Sequence, residues 1–178
     1  MEIRPYEPGD EEGLWHCKRA FELGLGSGTG GDEKRDKYEG KLDRDYREAW
    51  FEWVERCVDA DPRCVTVAVD DAGDDGGADA DPDDADAGGE VVGYVFVLPE
   101  SHRFIWDAAV LNELYLAPEH RGTGVADDLM AAAVELARDQ DLPLDRLVLD
   151  VDRENDRAKA FYDRHGFDHW GEMVAREV

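Results

Sequence analysis

Residues 120–129 read HRGTGVADDL. An arginine, two glycines one residue apart and an amphipathic helix pattern follow directly on an apolar run that Pro118 closes. Such an order of residue types suits an anion. The first turn of a helix has backbone N–H groups with no internal acceptor, and the helix dipole adds positive charge there. Gly122 and Gly124 have no Cβ, so an anion can approach the backbone closely. Val125 and Ala126 present N–H groups in the same turn, and Arg121 adds a flat donor fork suited to phosphate. The stretch lacks the Lys-Ser/Thr pair of a P-loop and so has no evident Mg²⁺ ligand. That favours a diphosphate held by amides over a nucleoside triphosphate being hydrolysed.

The elements around the turn must position it. A strand over 108–118 delivers the chain to Arg121, and a helix is predicted to begin near Gly122, with Val125, Leu129, Ala133 and Leu136 on one face. A nearly continuous apolar strand follows at 145–151. The unit from 108 to 151 therefore reads as a right-handed βαβ crossover with parallel strands, and ligands in such sheets lie beyond the carboxyl ends of the strands. A helix over Glu154–His165 carries Ala158, Phe161 and Tyr162, Gly166 stops it, and 167–177 reads as a last strand. Upstream, 2–6 is a short strand, and a helix capped by Asp10 carries Leu14, Cys17 and Phe21 on one face. Residues 24–32 read as a flexible loop. Gly26, Gly28 and Gly31 stand there at dinucleotide-loop spacing, but a helix pattern precedes them where that motif needs a strand. Tyr38, Leu42, Tyr46, Trp50, Trp53 and Cys57 recur at helical spacing over 33–59, as one long helix or two short ones with Gly40 the weak point. Strands at 63–70 and 91–99 flank a low-complexity acidic tract at about 70–90, which has nothing larger than alanine to bury and reads as a solvated hairpin insertion. The sum is an α/β fold of α+β type. It is a mixed, mostly antiparallel sheet with one parallel pair and flanking helices, forming a single domain over 1–178.

The totals narrow the function. The chain has 178 residues and a formal charge of −25, with Asp and Glu at 45 against 20 Lys and Arg, of which only five are lysines. Such a chain repels itself in dilute buffer, and molar salt, with a Debye length of ~3 Å, relieves the repulsion. The composition points to a halophile with a salt-loaded cytoplasm. It has no basic stripe for nucleic acid and no apolar run of the ~20 residues a membrane span needs. The acidic N-terminus has no apolar core of a signal peptide, so the location read from sequence is cytoplasmic. Cys17, Cys57 and Cys64 form no CxxC pair, and His165 and His169, at i,i+4 spacing, have no further ligands nearby, so neither a disulfide framework nor a metal site is expected.

The stretch ELYLAPEHRGTGVADDLM resembles the acyl-coenzyme A motif of the GCN5-related N-acetyltransferases, written Arg/Gln-x-x-Gly-x-Gly/Ala, with Arg121, Gly124 and Ala126 matching. NDRAKAFYDRHGF, over 155–167, resembles the same family's second signature. The resemblance is specific over about 108–178. It implies transfer of an acetyl group from acetyl-CoA to a primary amine of a small molecule or peptide, by direct attack and without metal, and it allows a homodimer. It implies a coenzyme site formed by Leu114, Tyr115, Leu116, Arg121, Gly122, Thr123, Gly124, Val125, Ala126, Asn155, Ala158, Phe161 and Tyr162. The oxyanion donor is expected to be a backbone N–H near Leu116. Glu113 is the expected base, with Asn112 a weaker candidate beside it, and Tyr162 the expected proton donor to the departing thiolate. Trp15, Phe21, Tyr46, Trp50 and the Phe104–Trp106 loop are expected to set acceptor specificity, although residues of these types are more often plain core than pocket lining. Two other functions fit the same residues: a non-catalytic acyl-CoA binding domain, and an acidic interaction protein using the 70–90 tract.

Overall fold

The structure, a computed structural model, describes residues 1–28, 39–70 and 89–176. Among them, five strands form one sheet in the order β1-β2-β3-β4-β5: β1 (Glu2–Pro5), β2 (Val65–Asp70), β3 (Glu90–Val97), β4 (Ala109–Leu116) and β5 (Leu147–Val148). The first four pair antiparallel, and β4 and β5 pair parallel. Four α-helices accompany the sheet among the described residues: α1 (Glu11–Gly28), α2 (Arg44–Ala60), α3 (Val125–Asp139) and α4 (Asp156–Arg164).

Successive residues of a strand point to opposite faces, yet nearly all of β2 and β3 is buried. Both faces are therefore covered. On one side Trp53 of α2 lies on Phe96 at 4.8 Å between ring centroids. Gly13 of α1 comes so close to β3 that a Cβ there would sit 2.8 Å from that of Val91. α3 lies on β2, β3 and β4 and buries Val125, Leu129, Met130, Ala133 and Leu136. α2 starts where the Asp43 side chain accepts from the Tyr46 N–H, and it ends at Asp61, where the backbone turns extended before Pro62.

Two irregularities shape the site. Phe96 pairs with Glu113 and Val97 with Leu111, so Asn112 is an extra residue, a bulge in β4. β4 and β5 pair only at Ala109–Leu147 and Val110–Val148. From 111 to 116 the outer edge of β4 has no strand beside it among the described residues.

Several expectations need correction. Residues 168–176 form no strand and lie exposed. The expected strand over 145–151 is only two residues long, which leaves too little ladder for another strand to join. α1 continues through Gly26 to Gly28, where a loop was expected, and helical residues 39–41 are separated from α2 by a break at Leu42–Asp43 rather than at Gly40. Asp10 does not cap α1. It is buried in a short turn, where it accepts the Glu7 N–H and two bonds from the Arg4 guanidinium. The helix expected near Gly122 starts at Val125, because Gly122 and Gly124 take left-handed backbone angles that close no helical turn. Gly31, Tyr38 and residues 71–88 of the acidic tract lie outside the described residues.

Candidate active site

The turn after β4 is built by its glycines. Pro118–His120 make a single 3-10 turn, Arg121 is extended, and Gly122 and Gly124 sit at φ 80° and 96°, a region costly for any residue with a Cβ. The first hydrogen bonds of α3 run from the Asp127 and Asp128 N–H groups, both to the Gly124 carbonyl. The Val125 and Ala126 N–H groups therefore have no acceptor within the helix. The Thr123 hydroxyl is spent on the His120 carbonyl at 2.6 Å, which fixes the turn's shape.

Arg121 does more than the sequence suggests. Its Nε donates to the Leu116 carbonyl at 3.0 Å, fastening the turn to the end of β4. The Ala117 N–H goes to Val92 on β3, so strand alternation turns the N–H and C=O of Leu116 to the opposite edge, which has no strand beside it among the described residues. Burial and the nearby Arg157 cation hold the Arg121 pKa below its ordinary value. Arg157, in the first turn of α4, is thus a second positive charge near the turn. No local motif marks it, and the sequence reading missed it.

Glu113 faces inward and is 5% exposed. Its Oε1 accepts from Lys18 Nζ at 2.7 Å and from Asn112 Nδ2 at 3.2 Å, and its Oε2 accepts from the Tyr94 hydroxyl at 2.6 Å. Lys18, itself 2% exposed, also pairs with Glu22 at 2.6 Å, and Glu22 meets Lys41 at 2.8 Å and the Tyr46 hydroxyl at 3.1 Å. Burial alone would lower the Lys18 pKa, but the two carboxylates outweigh it and the pKa is raised. Burial likewise opposes ionisation of Glu22, and its two lysines win, holding it below the usual value. Burial, with the Glu113 charge, pushes the Tyr94 hydroxyl well above its ordinary value. Removing one partner of such a buried pair leaves an uncompensated charge and costs roughly 3–5 kcal/mol. Lys18, Glu22 and Tyr94 were not singled out from sequence, because they meet Glu113 only through the tertiary fold.

On α4, Asn155 is the N-cap: its Oδ1 accepts the Ala158 N–H at 3.1 Å. That oxygen is occupied, so only the Asn155 amide N–H groups remain for a ligand. Tyr162 packs edge-on against Phe161 and Phe167, and burial pushes its pKa up to about 12. Asp127, in the first turn of α3, accepts from Arg164 at 2.8 Å and meets His165 Nε2 at 2.7 Å, tying the start of α3 to the end of α4. Leu114 and Tyr115 are half-buried on β4.

The residues expected to set specificity divide. Trp15 stacks at about 6 Å with Tyr46, Trp50 and Phe51 between α1 and α2, and the Lys18 ammonium lies over the Phe21 and Trp50 rings. These belong with the Glu113 network. Phe104 and Ile105 are exposed at 90% and 71% in the connection before β4. A cleft of about 230 Å³ lined by Asp61, Arg63, Glu100, Leu136, Asp139 and Gln140 contains none of the expected site residues.

The sequence model described as the acetyltransferase (GNAT) family matches residues 32–167. The chain is 34% identical over 121 residues to streptothricin acetyltransferase of Streptomyces lavendulae, covering 63% of this chain and 61% of that one. It is 28% identical over 174 residues to mycothiol acetyltransferase of Pseudarthrobacter chlorophenolicus, covering 96% of this chain and 43% of that one. The chain therefore spans about two fifths to three fifths of the length of these curated relatives. Its fold is similar to that of the PaiA N-acetyltransferase of Thermoplasma acidophilum, solved in complex with coenzyme A, with a TM-score of 0.66 at 20% identity over 94% of this chain and 89% of that one.

Proposed function

The chain belongs to the acetyltransferase (GNAT) family, and from that premise we propose that it moves an acetyl group from acetyl-CoA to a primary amine. One observation carries the proposal. The Arg121–Ala126 turn, with its left-handed glycines and open first-turn amides, stands at the end of β4 beside the gap left by β5. Those amides, with Arg121 and Arg157, suit the diphosphate of coenzyme A. The free edge of β4 at Leu114 suits an amide of its pantetheine arm, which the unpaired side of β4 would seat between β4 and α4, beside Ala158 and Phe161.

The acceptor arrives as an ammonium and must lose a proton before its nitrogen has a lone pair. Glu113 is the base in this reading. Its three donors fill three of roughly four acceptor positions on a carboxylate, and the fourth is left for a water that carries the proton. The amine nitrogen then bonds to the acetyl carbon, and the oxygen that becomes negative takes the Leu116 N–H, the donor turned toward the gap. The C–S bond breaks, the nitrogen gives up its remaining extra proton to solvent water, and the sulfur receives one from Tyr162, which solvent restores. With its pKa at about 12, Tyr162 is a weaker acid than a thiol at ~8.5, so it donates only as the thiolate forms. The acceptor is a small molecule, as the name of the streptothricin relative suggests, or a peptide amine. Its place of work is a salt-loaded cytoplasm, consistent with the charge of −25.

Titration calorimetry with acetyl-CoA in molar KCl tests the premise. The wild type gives heat, and Gly124→Val, which forces a β-branched residue to φ 96°, weakens binding at least tenfold; equal binding by the variant would remove the turn from the site. A second reading, acyl-CoA binding without transfer, is favoured by the bonds already made by both oxygens of Glu113. Thiol release from acetyl-CoA with streptothricin, an aminoglycoside and a free-amine peptide decides between them.

A further inference from the structure

We propose that Lys18 is the positioning residue for Glu113: its ammonium, buried between Glu113 and Glu22, fixes the orientation of the carboxylate and aims its one free acceptor position at the acceptor amine. The inference rests on the reading of Glu113 as base and assigns the part of α1 in it.

The geometry is a chain of short contacts across three elements. Lys18 Nζ lies 2.7 Å from Glu113 on β4 and 2.6 Å from Glu22 one helical turn along α1. Tyr94 on β3 holds the other Glu113 oxygen at 2.6 Å, and Asn112 shares the first. Among the described residues, Cys17 of α1, which donates to the Val91 carbonyl, and Tyr46 of α2 and Lys41, both on Glu22, also face the centre. A core made for stability alone would do as well with apolar residues here, since a buried ion pair rarely outperforms them. What the charges add is a carboxylate with one orientation. Without Lys18, two buried carboxylates would face each other, and such pairs hold a proton between them up to higher pH.

Lys18 also lies where it cannot serve as base itself. Its ammonium is held by two carboxylates and stays protonated, and its contact with substrate is not required. Its effect on the reaction is felt through Glu113.

The test compares Lys18→Met, Lys18→Arg, Tyr94→Phe and Glu113→Gln in molar KCl, reading kcat/KM against pH with acetyl-CoA and whichever of streptothricin, the aminoglycoside or the peptide turns over fastest. Lys18→Met moves the acid limb of the profile up by roughly one to three pH units and leaves the KM for acetyl-CoA within about twofold. Lys18→Arg restores the limb. An acid limb unmoved in a folded Lys18→Met overturns the proposal. If Lys18→Met fails to fold, Tyr94→Phe and Lys18→Arg decide: a limb shifted in the first and kept in the second supports it, and no shift in Tyr94→Phe overturns it. Full activity of Glu113→Gln would instead sink the base reading, whatever Lys18 does. Should no amine turn over, a ¹³C-NMR titration of the glutamate carboxyls still reads the proposal. One resonance absent from Glu113→Gln must titrate at least one pH unit higher in Lys18→Met than in wild type, and an unchanged midpoint overturns it.

Discussion

Tyr162 and Glu113 stand in opposite situations. Glu113 is held by three donors from three residues, whereas Tyr162 is set by ring packing against Phe161 and Phe167. A phenol positioned by ring packing loses only its hydroxyl, the proton-donating group, when changed to phenylalanine. Tyr162→Phe should therefore cut turnover by roughly 10²-fold, within the usual range for a proton-transfer group, with acetyl-CoA affinity unchanged by calorimetry. An unaltered kcat removes Tyr162 from the chemistry. Both residues were singled out in the sequence, one from its place before LYL and one from the second signature. Their partners were not. Lys18 and Glu113 are 95 residues apart, and nothing in helical or strand periodicity marks a lysine on an apolar helix face as an ion-pair member. Asn155 was readable either as a ligand contact or as a residue satisfying its own helix start, and its oxygen caps α4.

At the scale of elements, α1 decides how well the network closes, and Gly13 decides how near α1 can come to β3. A Cβ at 13 would lie 2.8 Å from Val91 Cβ and 3.0 Å from its Cγ2. Gly13→Ala gains up to about 1 kcal/mol of helix propensity, but overpacking a tight contact costs typically 1–3 kcal/mol, and Val91 is a branched residue in a central strand that cannot swing aside. The net effect should be a loss of stability in urea unfolding, with a parallel fall in kcat because the same shift moves Lys18. A variant as stable and active as wild type would show that α1 has slack. The succession of elements up to α4, the crossover and the turn were readable because apolar runs and glycine spacing are local. The bulge at Asn112 and the short β5 were not, because a residue's register depends on the neighbouring strand.

For the molecule as a whole, charge outweighs every local detail in how it responds to solvent. With 45 acidic against 20 basic side chains, the folded state gathers like charge that the unfolded chain spreads out. Many surface carboxylates are spent on Arg and Lys pairs such as Arg63 with Asp61 and Asp139, which salt weakens, while the surplus carboxylates repel one another, which salt relieves. The repulsion prevails over the pairs because acidic groups outnumber basic ones more than two to one. The melting temperature should therefore climb steadily from dilute buffer to molar KCl; a flat or falling curve would mean the acidity serves something other than solvation.

The divergence of β4 and β5 has a consequence of its own. Two backbone pairings, at Ala109 and Val110, hinge the β5–α4 portion onto the sheet, and the Asp127 contacts with Arg164 and His165 clasp its far side. Whatever lodges in that wedge touches both banks at once. The molecule that donates the acyl group would then also be a strut, and the enzyme at its stiffest would be the one loaded and ready to react.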